Sequence, residues 1–238
     1  MYKVADIIKF SEVNSRGNLS FHGLCDYMQD CAMLQLRECE DRLKIGDLHN
    51  KAWILTSWEI VVKRMPKIFE EIIVEADSPH FESLFQNRGF RTLDDKGEIT
   101  TFANSRWVYY NKELNKVEMI PKKILEIYSE KTHKRADYIW SKGNIVIKGE
   151  KKEGKKIEML SSFIDMYGHV NNAKYIMLAE GLLPIDYNVK KIRVEYRNQA
   201  FVEDVLYPWI YEMDSKITVV FTGKNEKIYV VVQFLQEW

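Results

Sequence analysis

Ser161-Ser162-Phe163-Ile164-Asp165-Met166-Tyr167-Gly168-His169-Val170-Asn171-Asn172-Ala173-Lys174-Tyr175-Ile176 brings a carboxylate, an imidazole and two helix-capping amides close together. Residues 161 to 167 read as extended chain, Gly168 as a turn, and Ala173 as the start of a helix capped by Asn171 or Asn172. Side chains alternate along an extended segment, so Asp165 and Tyr167 are expected on one face, with His169 following if the strand persists. The unpaired N–H groups of the helix's first turn then point toward those side chains. Such groups stabilise negative charge developing on an oxygen. That is one reading of the stretch, a reaction site. The other is a strand, a glycine turn and a capped helix with His169 as a satisfied core residue.

Working outward, the element order around this stretch occurs twice. In the first half a strand over 2–13 leads through Asn14-Ser15-Arg16-Gly17-Asn18 into a helical pattern from Leu19 to Leu43. Leu24, Met28 and Cys31 recur at three- and four-residue steps, supported by Tyr27 and Leu34. Such a stripe fits a core face, and part of it also fits the lining of an apolar pocket. β-rich runs follow at Ala52 to Met65, Glu70 to Ala76, Ser83 to Leu93 and Glu98 to Tyr110, with Asp94-Asp95-Lys96-Gly97 as a hairpin turn. In the second half a strand at Ile157 to Asp165 and a helix at Ala173 to Leu183 precede runs at Lys190 to Tyr196, Val205 to Met213, Ile217 to Thr222 and Lys227 to Leu235. Gly223-Lys224-Asn225-Glu226 supplies the last hairpin.

Aligning Gly17 with Gly168 sets Asn14 opposite Asp165, Asn18 opposite His169 and Leu19 opposite Val170. A second alignment, Arg64 with Arg197, sets Val61 opposite Val194, Glu71 opposite Asp204 and Ile72 opposite Val205. The first copy therefore holds asparagines where the second holds titratable groups, and asparagine exchanges no proton near neutral pH. The expected architecture is α+β, one fold used twice: an N-terminal domain over 1–120, a basic connector over 121–156 and a C-terminal domain over 157–238. Pro121-Lys122-Lys123, Lys131-Thr132-His133-Lys134-Arg135 and Lys151-Lys152-Glu153-Gly154-Lys155-Lys156 carry the connector's charge, the last reading as a turn. This segment fits a solvated link, or a docking surface for an acidic carrier.

Composition narrows the function classes. Lys plus Arg and Asp plus Glu are 35 each, so net charge gives no general attraction to nucleic acid or to an anionic membrane. Cys25, Cys31 and Cys39, an odd set clustered in one helix without CxxC spacing, argue against a disulfide framework and against zinc, and fit a reducing cytoplasm. The first residues carry no apolar signal core and no run of 18 apolar residues occurs, so neither export by that route nor a membrane span is expected. There is no Gly-x-Ser-x-Gly elbow, P-loop, dinucleotide fingerprint or metal-ligand cluster, and no cofactor is expected. His22, His49, His80 and His133 are scattered and read as structural or surface residues.

The run from Asp165 to Tyr175 resembles the Asp-x-Asn-x-His-Val-Asn-Asn-x-Lys-Tyr signature of acyl-ACP thioesterases, plant and bacterial enzymes that release fatty acids from acyl carrier protein. The likeness extends over nearly the whole chain. Ala52-Trp53-Ile54-Leu55-Thr56-Ser57-Trp58-Glu59-Ile60 with Arg64-Met65-Pro66 is similar to that family's Trp-Val-Leu-Ser-Arg-Trp and Tyr-Pro segment, and Tyr27-Met28-Gln29-Asp30-Cys31-Ala32 to its first helix. The resemblance implies a double hotdog, in which each half wraps an antiparallel sheet around a long helix. It also implies thioester hydrolysis that ends fatty acid synthesis, with acyl carrier protein as partner and the protein a monomer or homodimer. Carried over by position, the family's site carboxylate is Asp165 and its histidine is His169. Tyr167 stands where the family has asparagine, and Gln199 and Ala200 stand at its later acidic and thiol positions. Gln199 orients a water without taking its proton, which leaves Asp165 as base or nucleophile. Two alternatives share the fold: an acyl-CoA thioesterase, and a non-catalytic acyl-carrier or fatty-acid binding module.

Overall fold

The computed structural model describes residues 2–43, 50–77, 80–82, 84–129, 140–141 and 143–238, and its chain divides into two units. Unit 1 comprises Met1–Thr56 and Lys63–Trp140; unit 2 comprises Ser57–Val62 and Ser141–Trp238.

Unit 1 begins with β1 (Tyr2–Ile7), a 3-10 turn at Phe10–Glu12 and the helix α1 (Phe21–Leu43). There follow β2 (Lys51–Val62), whose first half lies in this unit, β3 (Glu71–Ala76), β4 (His80–Glu82), β5 (Phe85–Leu93), β6 (Ile99–Asn111), β7 (Lys116–Glu118) and α2 (Lys122–Ser129). β1, β3, β5 and β6 pair antiparallel in that order, with β4 on β5 and β7 on β6. The helix starts two residues later than its hydrophobic pattern suggests, because Ser20 acts as its cap: Ser20 Oγ accepts the Gly23 N–H at 3.2 Å. Leu24, Met28 and Cys31 are buried as the three- and four-residue steps require. Leu34 is exposed instead, and Gln35, four residues after Cys31, takes the inward place. The hairpin expected at Asp94–Gly97 forms. Asp94 Oδ1 accepts from Lys96 N and Glu98 N, and Gly97 takes φ +77°, a conformation that favours glycine.

Unit 2 contains β8 (Glu150–Glu153), β9 (Ile157–Glu158), a 3-10 turn at Ser161–Phe163, α3 (Asn172–Glu180), β10 (Lys191–Tyr196), β11 (Val205–Met213), β12 (Lys216–Thr222) and β13 (Ile228–Leu235). The antiparallel order is β10, β13, β12, β11, β8; β9 also pairs with β11, and the second half of β2 pairs with β10. Ile192, Val194, Val219, Phe221, Val232 and Phe234 are buried on these strands. Ala173, Tyr175, Ile176 and Ala179 are the buried residues of α3.

The lysine-rich segment read as a turn is in part the strand β8. All four of its residues are exposed, which suits a sheet-edge strand whose charges discourage further pairing. Lys151 lies over the Trp209 ring at 3.8 Å and Lys152 pairs with Glu212 at 2.8 Å, so the lysines serve the sheet they border. The segment treated as one connector thus supplies α2 to unit 1 and β8 to unit 2. Its Lys131–Arg135 cluster lies outside the described residues, as do His49 and the side chain of Cys39.

A charged row on β10 holds the chain that leads into β8. Glu59 and Lys191, both buried, meet at 2.7 Å, and Glu59 also accepts from Ser141 N and Ser141 Oγ. Arg193 donates to Gly143 O at 2.8 Å, and Glu195 accepts from Ile145 N. Lys191 Nζ also donates to Ser141 Oγ at 2.8 Å, so Lys191, Arg193 and Glu195, alternate residues on one face of β10, hold Ser141, Gly143 and Ile145 in turn. Ile145 is buried there against Val220 and Val231.

Candidate functional site

The stretch around Asp165 is a closed turn. After the 3-10 turn at Ser161–Phe163, Ile164 and Val170 form an antiparallel bridge, Asp165 N donates to His169 O at 2.8 Å, and Gly168 N donates to Asp165 O at 3.0 Å. Gly168 has φ +83°, which closes the turn. The Asp165 carboxylate is part of the scaffold: Oδ1 accepts from Tyr167 N at 2.8 Å and from His169 N at 3.3 Å. The extended reading of 161–167 is thereby corrected. β9 ends at Glu158, and Asp165 and Tyr167 are not strand neighbours sharing a face. The local hydrogen bonds of the aspartate side chain outcompete an extended conformation.

Downstream of the turn the helix is capped as expected. Asn171 Oδ1 accepts from Ala173 N at 2.8 Å, and Asn171 O accepts from Lys174 N at 3.0 Å. The cap consumes two of the N–H groups assigned to an oxyanion. The Asn172 N–H is the first-turn donor for which no described group serves as acceptor.

Ala200 and Phe201 close one side. Val170 N donates to Ala200 O at 2.9 Å, Ala200 N donates to Tyr175 Oη at 3.3 Å, and the His169 ring meets the Phe201 ring at 5.1 Å. Tyr175 is buried and sits against Tyr196 and Phe221, and Tyr196 Oη donates to Asn172 O at 3.1 Å. Burial pushes the Tyr175 phenol well above its ordinary range, the Ala200 N–H opposing, so it stays neutral and holds the amide as an acceptor. Asp165 and His169 are half-buried, whereas Tyr167 and Gln199 are exposed. The structure gathers Asp165, Tyr167 and His169 in one turn and sets Gln199 beside Ala200 on the segment that the turn touches. Phe201 and Tyr175 are the members that sequence reasoning missed. Tyr175 stood inside the motif, and nothing in the spacing marks Phe201.

Unit 1 contains the same turn with different chemistry. Val13 and Leu19 form the bridge, Asn14 N donates to Asn18 O, Gly17 N donates to Asn14 O, and Asn14 Oδ1 accepts from Arg16 N at 3.0 Å and Asn18 N at 3.3 Å. Each bond matches one in unit 2 at a spacing of 151 residues. The later segments match as well: Lys67 N donates to Glu70 Oε2 as Phe201 N donates to Asp204 Oδ2, and Phe69 and Glu203 both take positive φ. These pairs are 134 residues apart. The alignment of Arg64 with Arg197, which implies 133, is therefore one residue out of register, and the hydrogen bonds supply the correction.

Among the described residues no group of His, Cys, Asp and Glu is arranged to hold a metal, and no helix is long and apolar enough to cross a membrane.

The acyl-ACP thioesterase N-terminal domain model matches residues 1–128, and the C-terminal domain model matches 147–227. The chain is 25% identical over 237 residues to the chloroplastic palmitoyl-acyl carrier protein thioesterase of Gossypium hirsutum, a match covering 87% of this chain and 54% of that protein. It thus spans about half the length of the curated relative it matches. An acyl-ACP thioesterase from Bacteroides thetaiotaomicron superposes with a TM-score of 0.87 at 19% identity, over 98% of this chain and 96% of that one. The 12:0-ACP thioesterase from Umbellularia californica gives 0.77 at 19% identity, over 98% and 96%. These structural likenesses speak for the fold, a large antiparallel sheet with few helices of hotdog-like character. With the two domain models matching in succession, the first over half of its length, the chain belongs to the acyl-ACP thioesterase family.

Proposed function

We propose that this protein is a double-hotdog hydrolase that releases free fatty acid from acyl-acyl carrier protein, with the chemistry in its second unit. The observation that carries the reading is the duplicated turn: the same hydrogen bonds hold Asn14 and Asn18 in one copy and Asp165 and His169 in the other. A turn that folds with asparagine does not need a carboxylate, so the carboxylate in the second copy is there for another purpose.

Asp165 Oδ1 is occupied by two backbone donors, and no described group donates to Oδ2. Oδ2 takes the proton of a water whose oxygen bonds to the thioester carbonyl carbon, or attacks that carbon itself to give an anhydride that water then opens. The oxyanion is received by the Asn172 N–H at the start of α3. Collapse breaks the C–S bond, the thiolate leaves with a proton, and the acid departs. His169, steadied by Phe201, orients the carbonyl or assists the thiolate, while Tyr167 donates where the family has asparagine and Gln199 orients water. Acyl carrier protein is the proposed partner, and the protein works in the cytoplasm as a monomer or homodimer.

The test is a product profile. The purified chain is given a mixture of acyl-acyl carrier proteins, the matched acyl-coenzyme A thioesters in parallel, and the free acids are identified. Release from the carrier protein is the expected result. Equal or better release from coenzyme A removes the carrier assignment, and stable retention of the thioester without release removes catalysis.

A further inference from the structure

Unit 1 has an inward face that is polar where an alkyl chain needs none. Gln35 is 6% exposed and Gln86 2% exposed, and no described group bonds to Gln35 Oε1 or to Gln86 Nε2. Their surroundings place both at one end of the interior. Cys31 Sγ on α1 lies 3.7 Å from Val74 O, Val74 is registered with Thr92, and Ala32 O accepts from Arg88 at 3.1 Å. The helix, which packs on β3, therefore runs in the direction that leads from Thr92 toward Arg88 on the neighbouring β5. Gln35 lies three residues beyond Ala32, about 4.5 Å along the helix, and Gln86 lies two strand residues beyond Arg88 in that direction on the same face, about 7 Å. Trp107, registered with Gln86, is buried, and its indole N–H is already given to Ser105 Oγ at 2.6 Å.

We propose that the interior of unit 1 binds an acyl chain bearing a hydroxyl group, held between the side-chain amides of Gln35 and Gln86. A hydroxyl donates once and accepts as well, so it serves an acceptor at Gln35 and a donor at Gln86 together. A plain methyl terminus leaves both buried groups unmet. A site built to bond a hydroxyl discriminates against the analogue lacking it far more strongly than an apolar pocket discriminates by size. This inference rests on the proposed action on acyl thioesters.

The experiment compares unsubstituted and ω-hydroxylated acyl-acyl carrier proteins in matched pairs over a ladder of chain lengths, using the full chain. At the length that sets the hydroxyl at the two amides, kcat/KM for the hydroxylated member is expected to be at least about tenfold higher. Gln35→Leu and Gln86→Leu keep the volume and bring the ratio to about one. Where a leucine variant fails to fold, the methionine variant at that position takes its place. Preference for unsubstituted chains at every length, or a ratio that survives both substitutions, overturns the inference and leaves the hydrolase reading intact. If no thioester is hydrolysed, that reading fails first. Calorimetric titration with the free ω-hydroxy and unsubstituted acids then decides the inference: tighter binding of the hydroxy acid, lost in Gln86→Leu, supports it, and equal affinity overturns it.

Discussion

At the scale of single residues, Asn14 is a control built into the chain. It makes the two side-chain hydrogen bonds that Asp165 makes, so Asp165→Asn is expected to fold with an unchanged melting temperature. Loss of a general base costs about a hundredfold to ten-thousandfold in rate, and that drop in kcat on an acyl-acyl carrier protein is the expected outcome. Unchanged turnover would remove Asp165 from the mechanism. Tyr175 acts through the backbone. Its hydroxyl accepts the Ala200 N–H, while Ala200 O holds Val170 next to His169. Tyr175→Phe keeps the ring contacts and strands one buried amide, which costs about 1–3 kcal/mol of stability. A fall in kcat larger than any change in KM, with Tyr175→Ala much less stable, marks the hydroxyl as a positioning group. Equal losses in both variants mark only packing.

At the scale of elements, two charged clusters bear different loads. Glu59 is buried against Lys191, with Arg193 at 3.5 Å, and also caps Ser141. Removing one partner of a buried pair leaves the other uncompensated, so Glu59→Ala is expected to destabilise the protein by about 3–5 kcal/mol in a urea titration. Arg64, by contrast, is itself exposed and bridges Glu70 and the buried Asp94. Its hydrogen bonds are the first cause holding both carboxyls below their ordinary range. A lowered folded-state value means that the bridge stabilises the fold above the ordinary carboxylate range, near pH 4, and loses that effect as the pH falls through the folded values. Arg64→Met should therefore melt earlier than the native chain at pH 7, with the two curves converging toward pH 2. A gap of constant size would show that Arg64 contributes packing rather than charge.

At the scale of the whole molecule, duplication of the turn without duplication of its titratable groups predicts a single reactive copy. The double variant Asp165→Asn with His169→Ala should lower thioester release, measured by free-thiol appearance, at least as far as Asp165→Asn alone, the Asn172 N–H keeping some rate above the uncatalysed reaction. Turnover equal to that of the native chain would point to the first copy. Much of this organisation was legible in the residues. The repeated order of helix and strands, a cap at Asn171 or Asn172 and the asparagine-for-aspartate exchange follow from periodicity and side-chain chemistry, which act over a few neighbours, and the structure chooses Asn171. What needed the tertiary structure lies between distant segments. The lysine run at 151–153 became a strand because β11 offered an edge to pair with, and charge alone cannot distinguish an edge strand from a turn. The spacing of the later segments is 134 rather than 133 because matching hydrogen bonds, not side-chain likeness, define the register. The polarity facing α1 was hidden because Gln35 and Gln86 are ordinary surface types until helix and sheet bury them on one face. By itself the sequence determined the repeated elements and which copy keeps the proton-exchanging pair. Only the tertiary structure decided that Asp165 is also part of the turn's scaffold, that Phe201 and Tyr175 join it, and where polar groups are buried, because each of these depends on contacts across long sequence separations.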